Sequence, residues 1–324
     1  MQKAVRHSMI STGNISKIIK REMYYQWHSK SVAMLFIILL FLNIIHLVGL
    51  YDGVISAYER FKITENHYRE LGIDIAEALS EPSESYVKGN TRVVTNILKD
   101  DLISLILAIQ SIKPNNIVGS TLEYLIFVFC TLVFGIYASY VATYDFKYKT
   151  YKLVAVRYRQ PDIVTGKLIA VSLVMAGTLA TILFIAYIGS YVINAIVEKQ
   201  IPVESYLMDI PGYKNNIILQ LLLSIAVLLF YIIAGFSVAF LFKSMIVPTV
   251  VLMVHGLLVP VLGAYDFRNI FSFFAHQVFN FTGRFRMFQA LPINELTGMA
   301  VVLLSVVAFL TLCYVIARKR SAYS

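Results

Sequence analysis

The sequence predicts an all-α integral membrane protein built around a six-helix transmembrane bundle. Hydrophobic residues make up 58% of its 324 residues and charged residues only 15%, whereas an average soluble domain is roughly 25% charged. Six long stretches contain no Asp, Glu, Lys or Arg, and about 20 apolar residues are enough to span a bilayer. Because these stretches are continuously apolar and do not alternate, a transmembrane β-barrel is excluded. The predicted spans are residues 31–51, 122–144, 168–195, 215–242, 244–265 and 296–317.

The distribution of charge predicts the orientation of the bundle. With six spans both termini lie on one side, and that side carries 16 Lys or Arg against three acids, whereas the opposite side carries a net charge of −3. A basic excess marks the cytoplasmic side. We therefore predict a multi-pass plasma membrane protein whose N-terminus, residues 1–30, and tail, residues 318–324, are cytoplasmic. With Glu123 counted separately at a helix edge, this arrangement explains the overall charge of +9 without a nucleic-acid partner.

The N-terminal segment has the pattern of an amphipathic helix. Within residues 15–30, apolar residues recur at helical spacing on one face, namely Ile15, Ile18, Ile19, Met23 and Trp27. The other face carries Lys17, Lys20, Arg21 and Glu22. Such a helix suits the membrane interface. A plain cytoplasmic extension of the first span is the alternative.

Three predicted segments lie on the extracellular side. Residues 52–119 show helix-like spacing over 54–80 and 91–112, which predicts a helical hairpin outside the membrane. A shorter loop occupies residues 196–214. Residues 266–293 contain eight phenylalanines among basic residues, so we predict a re-entrant or interfacial segment before the last span. An ordinary aromatic belt at the helix ends is the alternative.

Few side chains in the spans could carry chemistry. The six histidines include no pair at metal-binding helical spacing, and no nucleophile elbow occurs. The fragment TGKL at 165–168 has Pro161 where a P-loop needs its first glycine, so this chain holds no ATP site of that kind. Asn43, His46 and His255 are polar residues within spans. They are either functional or simple helix-to-helix hydrogen bonds.

Small residues spaced four apart predict close contacts between spans. Gly135 and Ser139 in the second span are one such pair, and they allow two helix backbones to approach. Similar pairs occur in the third span. They indicate a packed bundle without identifying which helices meet.

The loop 145–167 is the only long cytoplasmic connection between spans. Its sequence favours a helix up to Arg159, with Asp145 and Lys149 at a stabilising acid-before-base spacing. Pro161 and Gly166 break the chain before the third span. A basic and aromatic helix held between two spans is well placed for a partner to push on both.

This layout resembles the permease subunits of ABC-2 type (type V) transporters. The resemblance rests on the interfacial helix, the six spans, the loop helix and the aromatic segment, which together cover almost the whole chain. Within the loop, the residues that fit the family pattern are Asp145, Thr150, Leu153, Pro161, Gly166 and Lys167. Lys149 replaces the glycine usual in the family, and residues 159–162 do not keep its Pro-then-Arg order.

The resemblance implies that residues 145–162 form a coupling helix that enters a groove on a separate ATPase subunit. The implied coupling residues are Asp145, Tyr148, Lys149, Thr150, Tyr151, Lys152, Arg157 and Arg159, with Asp145 making a charge-assisted bond across that interface. It also implies two ATPase copies, which hold ATP and Mg, and a second permease subunit in a homodimer or heterodimer. We assign the substrate path to Asn43, His46, His255, Phe271 and Phe274.

The leading expectation is therefore an ABC exporter subunit, without enzymatic activity or a cofactor of its own, that contacts membrane lipid. The low charge of the spans favours an amphipathic peptide, an antibiotic or a lipid-like cargo. One alternative is an intramembrane enzyme with His255 or His46 as the base. Another is a non-catalytic sensor that binds a ligand through residues 52–119.

Overall fold

The computed structural model describes residues 12–83, 85–88, 91–206, 213–214, 216–259, 261–282 and 285–321. The parts of the predicted segments that lie outside the described residues are 1–11 of the N-terminus, 84 and 89–90 of the segment 52–119, 207–212 of the loop 196–214, 215 and 260 in the fourth and fifth predicted spans, 283–284 of the segment 266–293, and 322–324 of the tail.

Helices dominate the described part of the chain. The first six are α1 (Thr12–His28), α2 (Ser31–Glu70), α3 (Ile75–Ser80), α4 (Ile97–Ile112), α5 (Pro114–Phe129) and α6 (Gly135–Lys147). The next six are α7 (Tyr151–Arg157), α8 (Gln160–Glu198), α9 (Ile217–Phe242), α10 (Ile246–Met253), α11 (Phe267–Val278) and α12 (Glu295–Ser321). A π-helical turn, Cys130–Phe134, joins α5 to α6, another, Val254–Leu258, extends α10, and a 3₁₀ turn covers Val203–Tyr206.

Five helical segments are long and apolar enough to cross a membrane: Ser31–Glu70, Pro114–Lys147, Gln160–Glu198, Ile217–Phe242 and Glu295–Lys319. The chain is thus a helical membrane protein. We call one end of this bundle the loop end, where α1, α7 and the last turn of α12 lie. The other is the hairpin end, where α3 and α4 lie.

The predicted fifth span, 244–265, differs from the others. Its apolar helix runs only over Ile246–Leu258, which corresponds to about 20 Å of rise against the roughly 30 Å of a hydrocarbon core. Val259 is extended, with φ −80° and ψ 129°, because a residue that precedes a proline is disfavoured in helical conformation. A sixth complete span stays a prediction.

At the hairpin end, α2 runs on without a break to Glu70 and α4 packs along it. Leu105 and Ile109 of α4 join Val54 and Phe61 of α2 in a second hydrophobic core. A short antiparallel hairpin, β1 (Ser85–Lys88) and β2 (Thr91–Val94), precedes α4 and pairs Ser85 with Val94. The strand at 91–94 differs from the predicted helix, since β-branched residues there favour extended chain.

The main core forms where α6 meets α9 at a very short distance. A Cβ added to Gly235 would lie 2.4 Å from the carbonyl oxygen of Gly135. The Ser139 hydroxyl donates to the carbonyls of Gly135 at 2.8 Å and Gly235 at 3.0 Å. The close contact predicted from Gly135 and Ser139 is confirmed, and its partner is α9.

Candidate functional site

The loop between α6 and α8 folds into a tight turn followed by the short helix α7. Lys149 adopts a left-handed conformation, with φ 58°, which glycine adopts more easily than other residues. The turn is closed by Thr150, whose backbone N–H donates to the Asp145 carbonyl at 3.0 Å and whose hydroxyl donates to Asp145 Oδ1 at 2.8 Å. Lys149, which stands where the resemblance leads one to expect glycine, therefore occupies a position whose backbone conformation favours glycine.

Tyr151 packs α7 against the bundle. Its ring lies 4.4 Å from that of Phe146 and 6.5 Å from that of Phe240, between ring centroids. Its hydroxyl donates to Gln160 Oε1 at the start of α8. Tyr151 is half-buried and supports the position of α7, and the contact role predicted for it stays a prediction.

The outer surface of α7 carries two apolar side chains. Leu153 is 70% exposed and Val156 is 87% exposed, and no residue of α7 is buried. Lys152 and Arg157 are exposed beside them, as are Tyr148, Lys149 and Arg159 in the flanking turns. Sequence reasoning missed Val156, although its spacing of three from Leu153 is the signal of a shared helix face.

A cluster of buried ionic groups lies beneath this loop. Lys167 Nζ is 2.7 Å from Asp145 Oδ2 and 3.8 Å from Glu22 Oε2, and these three side chains are 2%, 5% and 0% exposed. They come from α8, α6 and α1 respectively. Since a buried charge is costly without a partner, the three helices are held together by mutual neutralisation.

Further groups complete the ion cluster. Lys167 Nζ also donates to the Val141 carbonyl at 3.1 Å and lies 3.9 Å from the Tyr144 ring centroid. The Tyr144 hydroxyl and the Arg21 guanidinium both donate to the Glu22 carboxylate. Burial works to lower the pKa of Arg21, but Glu22 outweighs this effect and raises it. Arg21 and Lys167 therefore balance Glu22 and Asp145.

Asp145 requires a correction. It was predicted to bond with a partner protein across an interface, but its side chain is turned inward and is paired with Lys167. Glu22 likewise lies on the buried side of α1, although its spacing put it on the polar face. In both cases a cation on a neighbouring helix makes burial possible, which local spacing does not reveal.

The contact between α1 and α8 depends on Gly166. A Cβ at this position would lie 2.4 Å from Cγ2 of Ile18, so any larger residue collides with α1. Ile18 is fully buried there, while Trp27 at the other end of α1 is exposed. The adjacent residues Gly166 and Lys167 therefore have different roles. Gly166 leaves space for α1, and Lys167 pairs with the carboxylate of Glu22 on α1.

The five predicted substrate-path residues lie in two places. His46 Nε2 is 3.2 Å from Ser120 Oγ and the ring stacks on Tyr124, so it joins α2 to α5, and Asn43 is buried one turn away on α2. Phe271 packs on Phe230 of α9. Near it, His255 lines a cavity of about 220 Å³, and Phe274 lies beside Gly298 of α12. Within this chain the five residues therefore fall into two groups, and the substrate path stays a prediction.

A second buried acid, Glu123, lies toward the hairpin end. Its Oε1 accepts hydrogen bonds from the backbone N–H groups of Asn280 and Phe281, both at 3.0 Å. Phe281 has φ 49°, and Asn280 also exchanges hydrogen bonds with the backbone of Lys214. Glu123 thus anchors the non-helical chain that follows α11.

The ion cluster contains charges and hydroxyls suited to holding helices together. Over the described ranges, no group of three or more His, Cys, Asp or Glu side chains could hold a metal ion. The arrangement connects α7 to α6, α8 and α1 through hydrogen bonds and ion pairs. No family model, no curated protein and no solved structure matches this chain.

Proposed function

We propose that the chain is the permease subunit of an ABC-2 type exporter in the plasma membrane, with both termini cytoplasmic. A separate ATPase, present in two copies, binds ATP and Mg and drives transport by ATP hydrolysis. A second permease subunit completes the complex. The cargo is an amphipathic peptide, an antibiotic or a lipid-like molecule. The proposal rests on the resemblance of the layout and on one observation, the form of α7.

The observation that carries the proposal is an exposed apolar face on a short helix between two spans. Leu153 and Val156 are among the more exposed apolar side chains of the described chain, and they lie on α7 at the loop end. An apolar face of this kind, flanked by Lys152 and Arg157, has the composition of a protein contact rather than of a solvated loop.

The ion cluster supports the same proposal. A partner that pushes on α7 acts through Tyr151 on α8, through Thr150 and Asp145 on α6, and through Lys167 on both. Packed elements of this kind move as units, so the displacement reaches two spans at once. Glu22 extends the connection to α1.

The test begins with a search of the adjacent reading frames for an ATPase and continues with co-purification of that ATPase with this chain. Val156→Glu, alone and with Leu153→Glu, places a charge on the apolar face of α7 without touching the ion cluster. We expect at least tenfold weaker complex formation, because a buried unpaired charge at an interface costs about 2 kcal/mol or more. Ile63→Glu is the matched control, since Ile63 is 69% exposed on α2.

Complex formation that is unchanged in the α7 variants, or equally reduced in the control, would contradict the assignment of α7. Gel filtration and thermal unfolding of each variant in detergent would show that the permease itself is still folded. ATPase activity measured on the reconstituted complex gives a second readout, because uncoupling lowers cargo-stimulated hydrolysis even where some complex survives.

The sensor hypothesis is favoured by a different observation, a cavity of about 700 Å³ at the hairpin end. Arg60, Asp101 and Arg286 line this cavity together with apolar residues of α2 and α4. In an exporter this cavity would receive the cargo, whereas in a sensor it would be the ligand-binding site and no ATPase contact would be required. Arg60→Ala with Arg286→Ala separates the two, because a sensor loses all response while an exporter keeps its complex with the ATPase.

A further inference from the structure

A groove of about 770 Å³ opens at the loop end beside α7. Apolar side chains, among them Phe146 and Ile316, form its floor, and four lysines surround it: Lys149, Lys152, Lys243 and Lys319. All four lysines are exposed. The groove therefore combines an apolar surface with a concentrated positive charge.

The positive charge of the groove is not neutralised by neighbouring acids. Among the residues the structure describes, none of the four lysines takes part in an ion pair. Asp145 is the one acid that lines the groove, and Lys167 already compensates it at 2.7 Å. A ligand that entered here would meet four cations whose charges have no internal counterpart.

Four separate positions of the chain bring these lysines together. Lys149 lies in the turn after α6, Lys152 on α7, Lys243 in a left-handed turn after α9 with φ 51°, and Lys319 in the last turns of α12. A single lysine at a helix C-terminus is explained by the helix dipole. The convergence of four around an apolar floor, at the end of a transmembrane bundle, has the pattern of a phospholipid site.

We propose that this groove binds the phosphate headgroup of an anionic phospholipid, with part of an acyl chain lying on Phe146 and Ile316. The lysines supply the charge complementarity, and the apolar floor distinguishes a lipid from a soluble phosphate. This inference goes beyond the exporter, because it concerns a ligand of the permease itself and does not require an ATPase.

The experiment uses the full chain in nanodiscs made of equal parts phosphatidylglycerol and phosphatidylcholine. Lipid retained after transfer to detergent is counted by native mass spectrometry. The test variant is Lys243→Gln with Lys319→Gln, which leaves α7 and its flanking turns unchanged. The control is Lys17→Gln with Lys20→Gln, which removes two exposed lysines of α1 at the same end of the bundle.

We expect the affinity for phosphatidylglycerol to fall about fivefold for each lysine, hence about 25-fold in the test variant, since one lysine near an anionic surface contributes about that factor. Phosphatidylcholine retention stays unchanged, and the control variant retains phosphatidylglycerol as the unmodified protein does. Unfolding temperatures of both variants confirm that the groove is still formed.

Three results would overturn the proposal. Equal loss of phosphatidylglycerol in the control would mean a general charge effect at the membrane surface. Displacement of the lipid by millimolar inorganic phosphate would mean a site for free phosphate. Unchanged lipid retention, with or without weaker binding of the ATPase, would mean that the groove belongs to a protein partner or has no ligand. Because Val156 is untouched throughout, these results are separate from the test of α7.

Discussion

Asp145 and Glu123 are both buried acids at opposite ends of the same α5–α6 segment, and they are compensated in different ways. Asp145 is paired with the side-chain cation of Lys167, which comes from the next span. Glu123 accepts hydrogen bonds from the backbone N–H groups of Asn280 and Phe281, in the non-helical chain after α11. One acid joins helix to helix, and the other joins a helix to irregular backbone.

The difference reflects which groups have to be stabilised at each end of the molecule. Irregular backbone within a membrane protein must have its polar groups satisfied by protein, because lipid offers them nothing. Glu123 meets that need for residues 280–281. Asp145 has no backbone to satisfy beyond its own turn, and its pairing instead fixes α7, α8 and α1 as one unit. The first contact secures a local conformation, and the second couples elements.

The largest expected effect comes from removing the shared cation of the ion cluster. Lys167→Met leaves Asp145 and Glu22 buried with only Arg21 to balance them, so the free energy of unfolding should fall by about 3 to 5 kcal/mol. Denaturant or thermal unfolding in detergent measures the loss. We expect the triple variant Lys167→Met, Asp145→Asn, Glu22→Gln to recover most of it, since the charge left in the cluster is that of Arg21, whose side chain is 30% exposed and can be hydrated.

A Lys167→Met protein as stable as the unmodified chain would mean that the ion cluster contributes nothing. A triple variant no better than the single one would mean that packing of the lysine chain, and not its charge, is what matters. Glu123 is a useful comparison for this variant, because its carboxylate is held by backbone N–H groups and not by a lysine that a substitution could remove.

The next effect concerns Glu123. Glu123→Ala leaves the N–H groups of Asn280 and Phe281 without their acceptor, at a cost of about 1 to 3 kcal/mol. Glu123→Gln keeps a carbonyl acceptor and should cost less than half as much. Hydrogen exchange of residues 279–282 should increase in the alanine variant while α7 is unaffected, whereas Lys167→Met should show the opposite distribution.

The smallest effect tests the packing that supports the ion cluster. Gly166→Ala forces a Cβ against Ile18 and should cost about 1 to 3 kcal/mol through overpacking. Ile18→Ala in the same chain removes Cγ2, the closer of the two contacts, and keeps Cβ at 2.9 Å, so the double variant should be more stable than the sum of the single changes predicts. Additive losses would show that α1 and α8 do not meet at this point.

The sequence was sufficient to predict the long apolar helices because hydropathy and length are local properties. Five helical segments are long and apolar enough to cross a membrane, as expected, and the close α6–α9 contact follows from Gly135 and Ser139. The helix within the fifth predicted span is shorter than expected because its uncharged stretch contains a helix break before Pro260. Counting charges alone does not detect such a break.

The candidate site was only half predictable. Spacing located the loop, and the resemblance drew attention to Asp145, Gly166 and Lys167, but neither indicated that the first and last of these are paired. The pair joins residues 22 positions apart, and Glu22 is more than 120 positions from Asp145. Partners so distant are set by the tertiary packing of α1 against α8, which no local pattern encodes.

The length of α2 has a mechanical consequence. Its 40 residues extend for about 60 Å, twice the thickness of a hydrocarbon core, as one continuous helix. The part of α2 that packs on α4 and the part that crosses the bundle therefore belong to one continuous helix. We therefore expect a molecule that separates α4 from α2 to change the tilt of α2, whose N-terminal part contacts α1.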